Sequence, residues 1–278
     1  MDDPDLKLLV ALVVAIVAGL LGWHYRDALF PAQEAAPVAA RPAPAQPAAE
    51  SGPAYPMPGP AERDQAAREL VPLPPLDDSD AYFLLEIGHA FGPAVESLLV
   101  REAVIDRLVT TVDNLPRAKL PERIRPVGNL QDPFVAGPSG DAAAVLGHGS
   151  FGRYDPIVAR IHYADLDAVY DTYRRFYPLF QKSYERLGYP DAYFNDRLVE
   201  VIDHLLETPE PAGPVLLARP NVLWEFADPE LEALSSGQKL LLRMGPDNAA
   251  TMKRRLAAFR ALLTGTDTGT GDDDPEIG

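Results

Sequence analysis

Residues 165–187 read DLDAVYDTYRRFYPLFQKSYERL and carry the strongest folding signal of the chain. Their large apolar and aromatic side chains recur every three or four residues, which places them on one face of an α-helix. Asp165 precedes the pattern, and Pro178 should kink the helix or split it. The face consists of Leu166, Val169, Tyr170, Tyr173, Phe176, Tyr177, Phe180, Tyr184 and Leu187. The stretch therefore predicts a long amphipathic helix with an aromatic face.

Similar patterns on both sides extend the helical prediction. Asp228-Pro229-Glu230 combines a capping side chain, a proline for the first turn and an acid near the N-terminus, which is a helix start signal. Gly245-Pro246 ends one helix and opens the next. The predicted helices span residues 79–90, 93–114, 165–187, 192–207, 229–244 and 247–263.

Two stretches are less helical. Residues 121–155 contain many glycines and prolines and predict a loop with short strands. Residues 215–227 hold two apolar runs about Arg219-Pro220-Asn221 and predict a small hairpin. Because no alternation of strands and helices occurs, we expect a mainly α fold. One helical globular domain over residues 76–263 would carry a small β-hairpin at most.

The N-terminus contains an uncharged run, LLVALVVAIVAGLLGW, at residues 8–23. Together with its flanking residues the run covers residues 6–25. As a helix this segment is about 30 Å long, which matches the thickness of the hydrocarbon core of a bilayer. A cleaved signal peptide is the alternative, but the acidic leader MDDPD and the absence of a small-residue cleavage site disfavour it. We expect a short tail at residues 1–5 and a single-pass transmembrane anchor at residues 6–25.

Proline and alanine dominate the chain between the anchor and the domain. Residues 31–75 hold 12 prolines and 13 alanines, so residues 26–75 predict a disordered, extended linker. A proline-rich ligand for another domain is an alternative role for this segment. Residues 264–278 are polar and acidic and predict a disordered tail.

The charges that flank the anchor do not decide its orientation. Lys7 lies on one side, and Arg26 and Arg41 lie on the other. A long spacer suits a domain that is held away from a bacterial inner membrane. We therefore expect the globular domain in the periplasm.

The composition excludes several kinds of partner and chemistry. The formal net charge is −16, which argues against nucleic-acid binding because phosphate contacts need clustered cations. The chain has no cysteine, so disulfides, thiol catalysis and thiolate metal sites are excluded. No cofactor is expected.

Two segments resemble a known family. YFNDRLVEVIDHLLETP (193–209) and ADPELEALSSGQKLLLRMGPDNA (227–249) are similar to a proteobacterial domain of unknown function, number 3014. The resemblance covers about residues 74–263. It implies a layout of membrane helix, low-complexity spacer and globular domain, and it implies no activity.

A glycine-rich stretch, GHGSFG at residues 147–152, resembles two catalytic or binding motifs. It fits the spacing of a dinucleotide loop, but Pro156 follows too soon for a helix that runs directly from the last glycine. It also resembles a hydrolase elbow with Ser150 as nucleophile, although His148 stands where the first glycine should be. A plain loop is the favoured interpretation.

Metal binding and acid catalysis each have a candidate. Glu200 and His204 lie four residues apart and can share a helix face as weak candidate metal ligands, although a solvated acidic face is favoured and no metal is expected. Glu225 lies between Trp224 and Phe226, where desolvation could tune a catalytic acid. In a strand, however, Glu225 would simply point to water.

The aromatic face offers a candidate binding surface through Tyr170, Tyr173, Tyr177 and Tyr184, because tyrosine is frequent at interfaces. A stripe at helical spacing is nevertheless more often core. Two functions remain open. The first is an uncharacterised membrane-anchored envelope protein whose helical domain binds a protein or cell-wall partner. The second is an envelope enzyme that acts on peptidoglycan through paired carboxylates.

Overall fold

The computed structural model describes residues 52–57, 72–91, 99–121, 124, 126, 137–138, 143–163, 165–220 and 224–266. The predicted anchor at residues 6–25 lies outside these ranges, as do residues 267–278 of the predicted tail. Among the helices of the described ranges, none combines the length and the apolar character that crossing a bilayer requires.

The described residues fold into a mainly helical domain, which confirms the predicted class. A short 3-10 turn, Leu76–Asp78, precedes the first helix. Nine α-helices occur in the described ranges: α1 (Asp80–Phe91), α2 (Val104–Asn114), α3 (His148–Phe151), α4 (Asp155–His162), α5 (Leu166–Arg186), α6 (Phe194–Leu206), α7 (Pro229–Glu232), α8 (Ser236–Arg243) and α9 (Pro246–Thr264).

Helix α5 is the centre of the domain. The Asp165 carboxylate caps it by accepting hydrogen bonds from the backbone N–H groups of Asp167 and Ala168. The helix runs through Pro178 as one element, so the proline does not split it. A proline inside a helix costs about 3 kcal/mol. Burial of Phe176 and Phe180 in the same core, one on each side of Pro178, offsets this loss.

Helices α2, α6 and α9 pack around α5 and enclose the main core. Aromatic rings dominate its centre: Phe180 stacks on Phe194 with centroids 5.7 Å apart, and Tyr173 contacts both rings. Aromatic pairs of this kind add about 0.5–1.5 kcal/mol beyond the area they bury. The predicted aromatic face is therefore the face that holds the helices together.

Two predicted helix boundaries differ from the structure. Residues 99–103 are not helical, and α2 begins only at Val104, because the Asp80 carboxylate accepts hydrogen bonds from the N–H groups of Ala103 and Val104. The helix predicted over residues 229–244 is divided into α7 and α8. The first part ends at Glu232, and Ser235 opens the second through a capping box with Gln238.

Four short strands form an antiparallel sheet in the order β1 (Gly137–Pro138), β2 (Ala143–Val145), β3 (Leu216–Ala218) and β4 (Glu225–Phe226). The predicted hairpin is confirmed as β3 and β4. The expectation of a hairpin at most was wrong, because β2, from the stretch predicted as loop with short strands, pairs along the other edge of β3. Leu217 then packs with Ala144, Phe226 and Leu242 in a second, smaller core.

Candidate functional site

The structure places two of the four predicted binding tyrosines in the core. Tyr173 is 5% exposed and Tyr184 is 2% exposed, so neither can contact a partner directly, and the expectation is corrected for both. Tyr170 and Tyr177 are half-buried and pack against the same core. Burial raises the pKa of Tyr173 well above its usual value and raises the pKa of Tyr177 to about 12.

The candidate metal ligands on α6 have protein partners. Glu200 accepts a hydrogen bond from Arg197 at 2.8 Å, and His204 Nε2 shares one of 2.9 Å with Ser235 Oγ. Ser235 also caps α8, so His204 connects α6 to the start of α8. Within the described ranges, no group of three histidine or acidic side chains is arranged to hold a metal ion.

The candidate catalytic acid, Glu225, lies in β4 opposite Ala218 and is half-buried. A different carboxylate organises this region: Glu232 accepts a hydrogen bond from the backbone N–H of Phe226 at 2.9 Å and pairs with Lys239 at 2.8 Å. Ser150 lies inside α3 and is fully buried. The glycine-rich stretch therefore does not present Ser150 as an exposed nucleophile.

Sequence reasoning missed a site at the first turn of α6. Residues 52–57, which lie within the predicted linker, contact this turn. The Asp196 carboxylate accepts two hydrogen bonds from consecutive backbone N–H groups, at 2.9 Å from Ala54 and 2.8 Å from Tyr55. The Asn195 amide donates to the carbonyl oxygen of Tyr55 at 2.8 Å. Two neighbouring side chains thus bind three backbone groups of a segment that bends at Ala54 and Tyr55.

The helix core fixes the orientation of Asn195. Its side chain is fully buried, and its Oδ1 accepts a hydrogen bond from the Tyr173 hydroxyl at 3.3 Å. Its Nδ2 also lies 3.4 Å from the carbonyl oxygen of Leu263 at the end of α9. Tyr173 therefore does not contact the bound segment but positions the residue that does.

Gln181 of α5 holds the turn before α6 in place. It accepts a hydrogen bond from the N–H of Phe194 at 2.9 Å and donates to the carbonyl oxygen of Ala192 at 2.9 Å. Because α5 anchors both Asn195 and this turn, the site is built on rigid elements. Preorganised hydrogen-bonding groups lower the entropy lost on binding.

The bound segment reads GPAYPM and contributes apolar contacts as well as backbone hydrogen bonds. Tyr55 and Met57 are half-buried and pack against the main core. The Asp203 carboxylate raises the pKa of Arg260, and Tyr55 lies close enough to raise it further. Pro53 and Pro56 flank the two donors and restrict the backbone on either side of the bend at Ala54 and Tyr55.

One signal in the sequence could have indicated this contact. Tyr55 is the single aromatic residue, and Met57 the single methionine, of residues 31–75. Large apolar side chains are otherwise scarce in a proline- and alanine-rich spacer. Their presence together marks the part of the linker that can bury surface.

The next residue of α6 has a different partner. Arg197 donates from Nε to the Asp113 carboxylate at 3.0 Å and from Nη2 to the Asp113 carbonyl oxygen at 2.9 Å. The Asp113 side chain is 3% exposed and also pairs with Arg117 at 3.0 Å. This network joins α2 to α6 inside the domain.

The main core also contains a cavity of about 40 Å³ between α1, α2, α5, α6 and α9. Its lining is apolar and includes Phe83, Phe180 and Phe259. A cavity of roughly 150 Å³ is needed to hold a ligand as small as benzene. The cavity is therefore a packing gap and offers no room for a substrate.

Comparison with known proteins places these features in a family. The model of the family described as "Protein of unknown function (DUF3014)" matches residues 104–260. The chain belongs to this family. Both site residues of the DUF3014 domain, Asn195 and Asp196, lie inside the matched range, and the bound segment lies outside it. No curated protein and no solved structure shows significant similarity to the chain.

Proposed function

We propose that this DUF3014 protein is a membrane-tethered binding module whose helical domain recognises a short, bent segment of a protein partner. In this proposal the helix at residues 6–25 anchors the chain in a bacterial inner membrane, and the domain acts in the periplasm. The observation that carries the proposal is the pair of hydrogen bonds from Ala54 and Tyr55 to Asp196, beside the bond from Asn195 to Tyr55.

The chemistry of the site supports recognition of a polypeptide. A carboxylate that accepts two consecutive N–H groups recognises the backbone of a bent segment and not one particular side chain. Hydrogen bonds to an ionised acceptor contribute about 1.5–3 kcal/mol each. Tyr55 and Met57 add the apolar contacts that such a short segment needs for measurable affinity.

A peptide titration tests the proposal. The full chain in detergent would carry Ala54→Pro and Tyr55→Pro, a pair we name the donor-free variant. It lacks both N–H donors and leaves the charge of the linker unchanged. A fluorescent peptide of residues 50–59 should bind this variant, and its fluorescence anisotropy should rise to saturation.

Asp196→Ala in the same background should weaken peptide binding by about tenfold or more, because two charge-assisted hydrogen bonds are lost. Asp191→Ala is the matched control, since Asp191 is exposed and lies near the same turn. Equal binding by all three chains, or binding by none, would contradict the proposal.

A further inference from the structure

Residues 52–57 occupy the Asn195–Asp196 site that the proposed partner would use. The segment that occupies the site belongs to the same chain, 142 positions before Asp196. It joins the domain through residues 58–71. A partner that uses this site must therefore displace a segment that is tethered beside it.

The contacts define the class of segment that fits. Positions 54 and 55 must carry N–H groups, so neither can be proline. Position 55 places an aromatic ring against the core, close to Arg260, and position 57 places a large apolar side chain there. Position 56 needs no N–H donor, so proline fits there. A segment that fits the site therefore carries a small residue, an aromatic residue, proline and a large apolar residue at positions 54 to 57.

We propose that residues 52–57 act as an intramolecular competitor, here named the latch, and that the partner presents a segment of the same small–aromatic–proline–apolar class. This inference rests on the proposed function, because it concerns the regulation and specificity of the same site. The latch keeps the site closed until a partner segment of sufficient affinity or local concentration replaces it.

The short connection makes the latch an effective competitor. A segment joined to its site by a short stretch of chain acts at an effective concentration on the order of millimolar. A free peptide with the latch sequence must compete against that concentration, so its apparent affinity for the wild-type chain is lowered. A partner that is itself held at the membrane can reach comparable local concentrations.

Latch release also changes the reach of the domain. With the anchor ending at residue 25, residues 26–51 span at most about 80 Å while the latch is bound. Release adds the rest of the linker and extends the limit to about 140 Å, because residues 26–71 are then free. Partner binding is therefore coupled to the distance between the membrane and the domain.

The test compares peptide affinity between chains that differ only in the latch. The fluorescent 50–59 peptide is titrated into the wild-type chain and into the donor-free variant, both at full length in detergent. The donor-free variant should bind the peptide about tenfold more tightly or better. Ala48→Pro with Ala49→Pro, a matched change upstream in the linker, should bind as weakly as the wild type.

Two results would overturn the inference, and they differ from each other. Equal affinity for the wild type and the donor-free variant would show that the segment does not compete, while peptide binding itself would stand. Failure of the peptide to bind either chain would instead remove the proposed function, and the latch with it.

A distance measurement gives a second readout of release. Because the chain has no cysteine, spin labels at Gly52→Cys and Lys182→Cys report one defined pair. The wild-type background should give a narrow distance distribution, and saturating unlabelled 50–59 peptide should broaden it. An unchanged distribution at a concentration where the peptide binds would contradict displacement.

Discussion

Asp196 and Arg197 are neighbours in the first turn of α6, yet they hold different parts of the chain. Arg197 binds Asp113, whose carboxylate is 3% exposed, and so connects two helices of the core. Asp196 is half-exposed and binds the backbone of a distant linker segment. When that segment leaves, water can replace its hydrogen bonds. The comparison separates a contact that holds the fold from one that can be exchanged.

The largest loss of stability is expected when the contact between Arg197 and Asp113 is removed. Asp113→Ala leaves the Arg197 guanidinium inside the domain without its main carboxylate, and breaking a buried pair in this way costs about 3–5 kcal/mol. Urea denaturation should show this loss in the free energy of unfolding. Asp171→Ala removes an exposed partner of Arg174 and should change stability by less than about 1 kcal/mol. Equal effects of the two substitutions would show that the contact between Asp113 and Arg197 stabilises the fold no more than an exposed ion pair does.

The second effect concerns the packing of α8 against the end of α2. A methyl group added at Gly237 would lie 2.5 Å from Leu205 Cδ2 and 3.3 Å from Leu115, so α6 or α8 must shift. Gly237→Ala should destabilise the domain by about 1–3 kcal/mol. Gly213→Ala meets no atom within 4 Å and is the control. Thermal unfolding of both variants measures the difference, and an unchanged melting temperature for Gly237→Ala would mean that this interface is loose.

The third effect is a loss of stability at high pH. Burial raises the pKa of Tyr177 to about 12, so between about pH 10 and 12 the unfolded chain ionises this hydroxyl while the folded chain keeps it protonated. Stability present below pH 10 is therefore lost as the pH rises through this window. By pH 11, Tyr177→Phe should lose less stability than the wild type relative to pH 7, by under about 1 kcal/mol because solvent screens this half-buried hydroxyl. Parallel curves of unfolding free energy against pH would contradict the burial of this hydroxyl.

Loss of the exchangeable contact between Asp196 and residues 54 and 55 should cost much less stability than loss of the Asp113 contact. Asp196→Ala removes hydrogen bonds to a segment outside the helical core, so the free energy of unfolding should fall by about 1.4 kcal/mol, the equivalent of tenfold competition by the latch. Urea denaturation under the conditions used for Asp113→Ala gives the direct comparison. A loss as large as that of Asp113→Ala would make Asp196 a folding residue and would weaken the case for exchange.

Sequence patterns predicted those helices whose start and face depend on residues close to them in the chain. The aromatic stripe and the Asp165 cap gave the long central helix, and Asp228-Pro229 gave a helix start where α7 begins. The break at Ser235 was missed although its capping-box partner Gln238 stands three residues later, because the apolar run around it suggested continuity. The start of α2 could not be predicted, since it depends on Asp80 from another helix.

The site was less accessible to sequence reasoning than the fold. The tyrosine face was identified but assigned to the wrong surface, because spacing shows that residues share a face and not what covers it. Tyr173 contributes through Asn195, which no pattern marks. The pairing of Asn195 and Asp196 with residues 54 and 55 joins positions far apart in the chain, and only the folded structure brings them together.

Amide hydrogen exchange at Ala54 and Tyr55 tests the central claim most directly. In the wild-type full chain both amides should exchange more slowly than in the free 50–59 peptide, because the Asp196 carboxylate accepts their hydrogen bonds. Asp196→Ala should return both to the rate of the free peptide and leave the amides of α5 protected. Exchange at the free-peptide rate in the wild-type chain would contradict the docking of the latch and the site built on it.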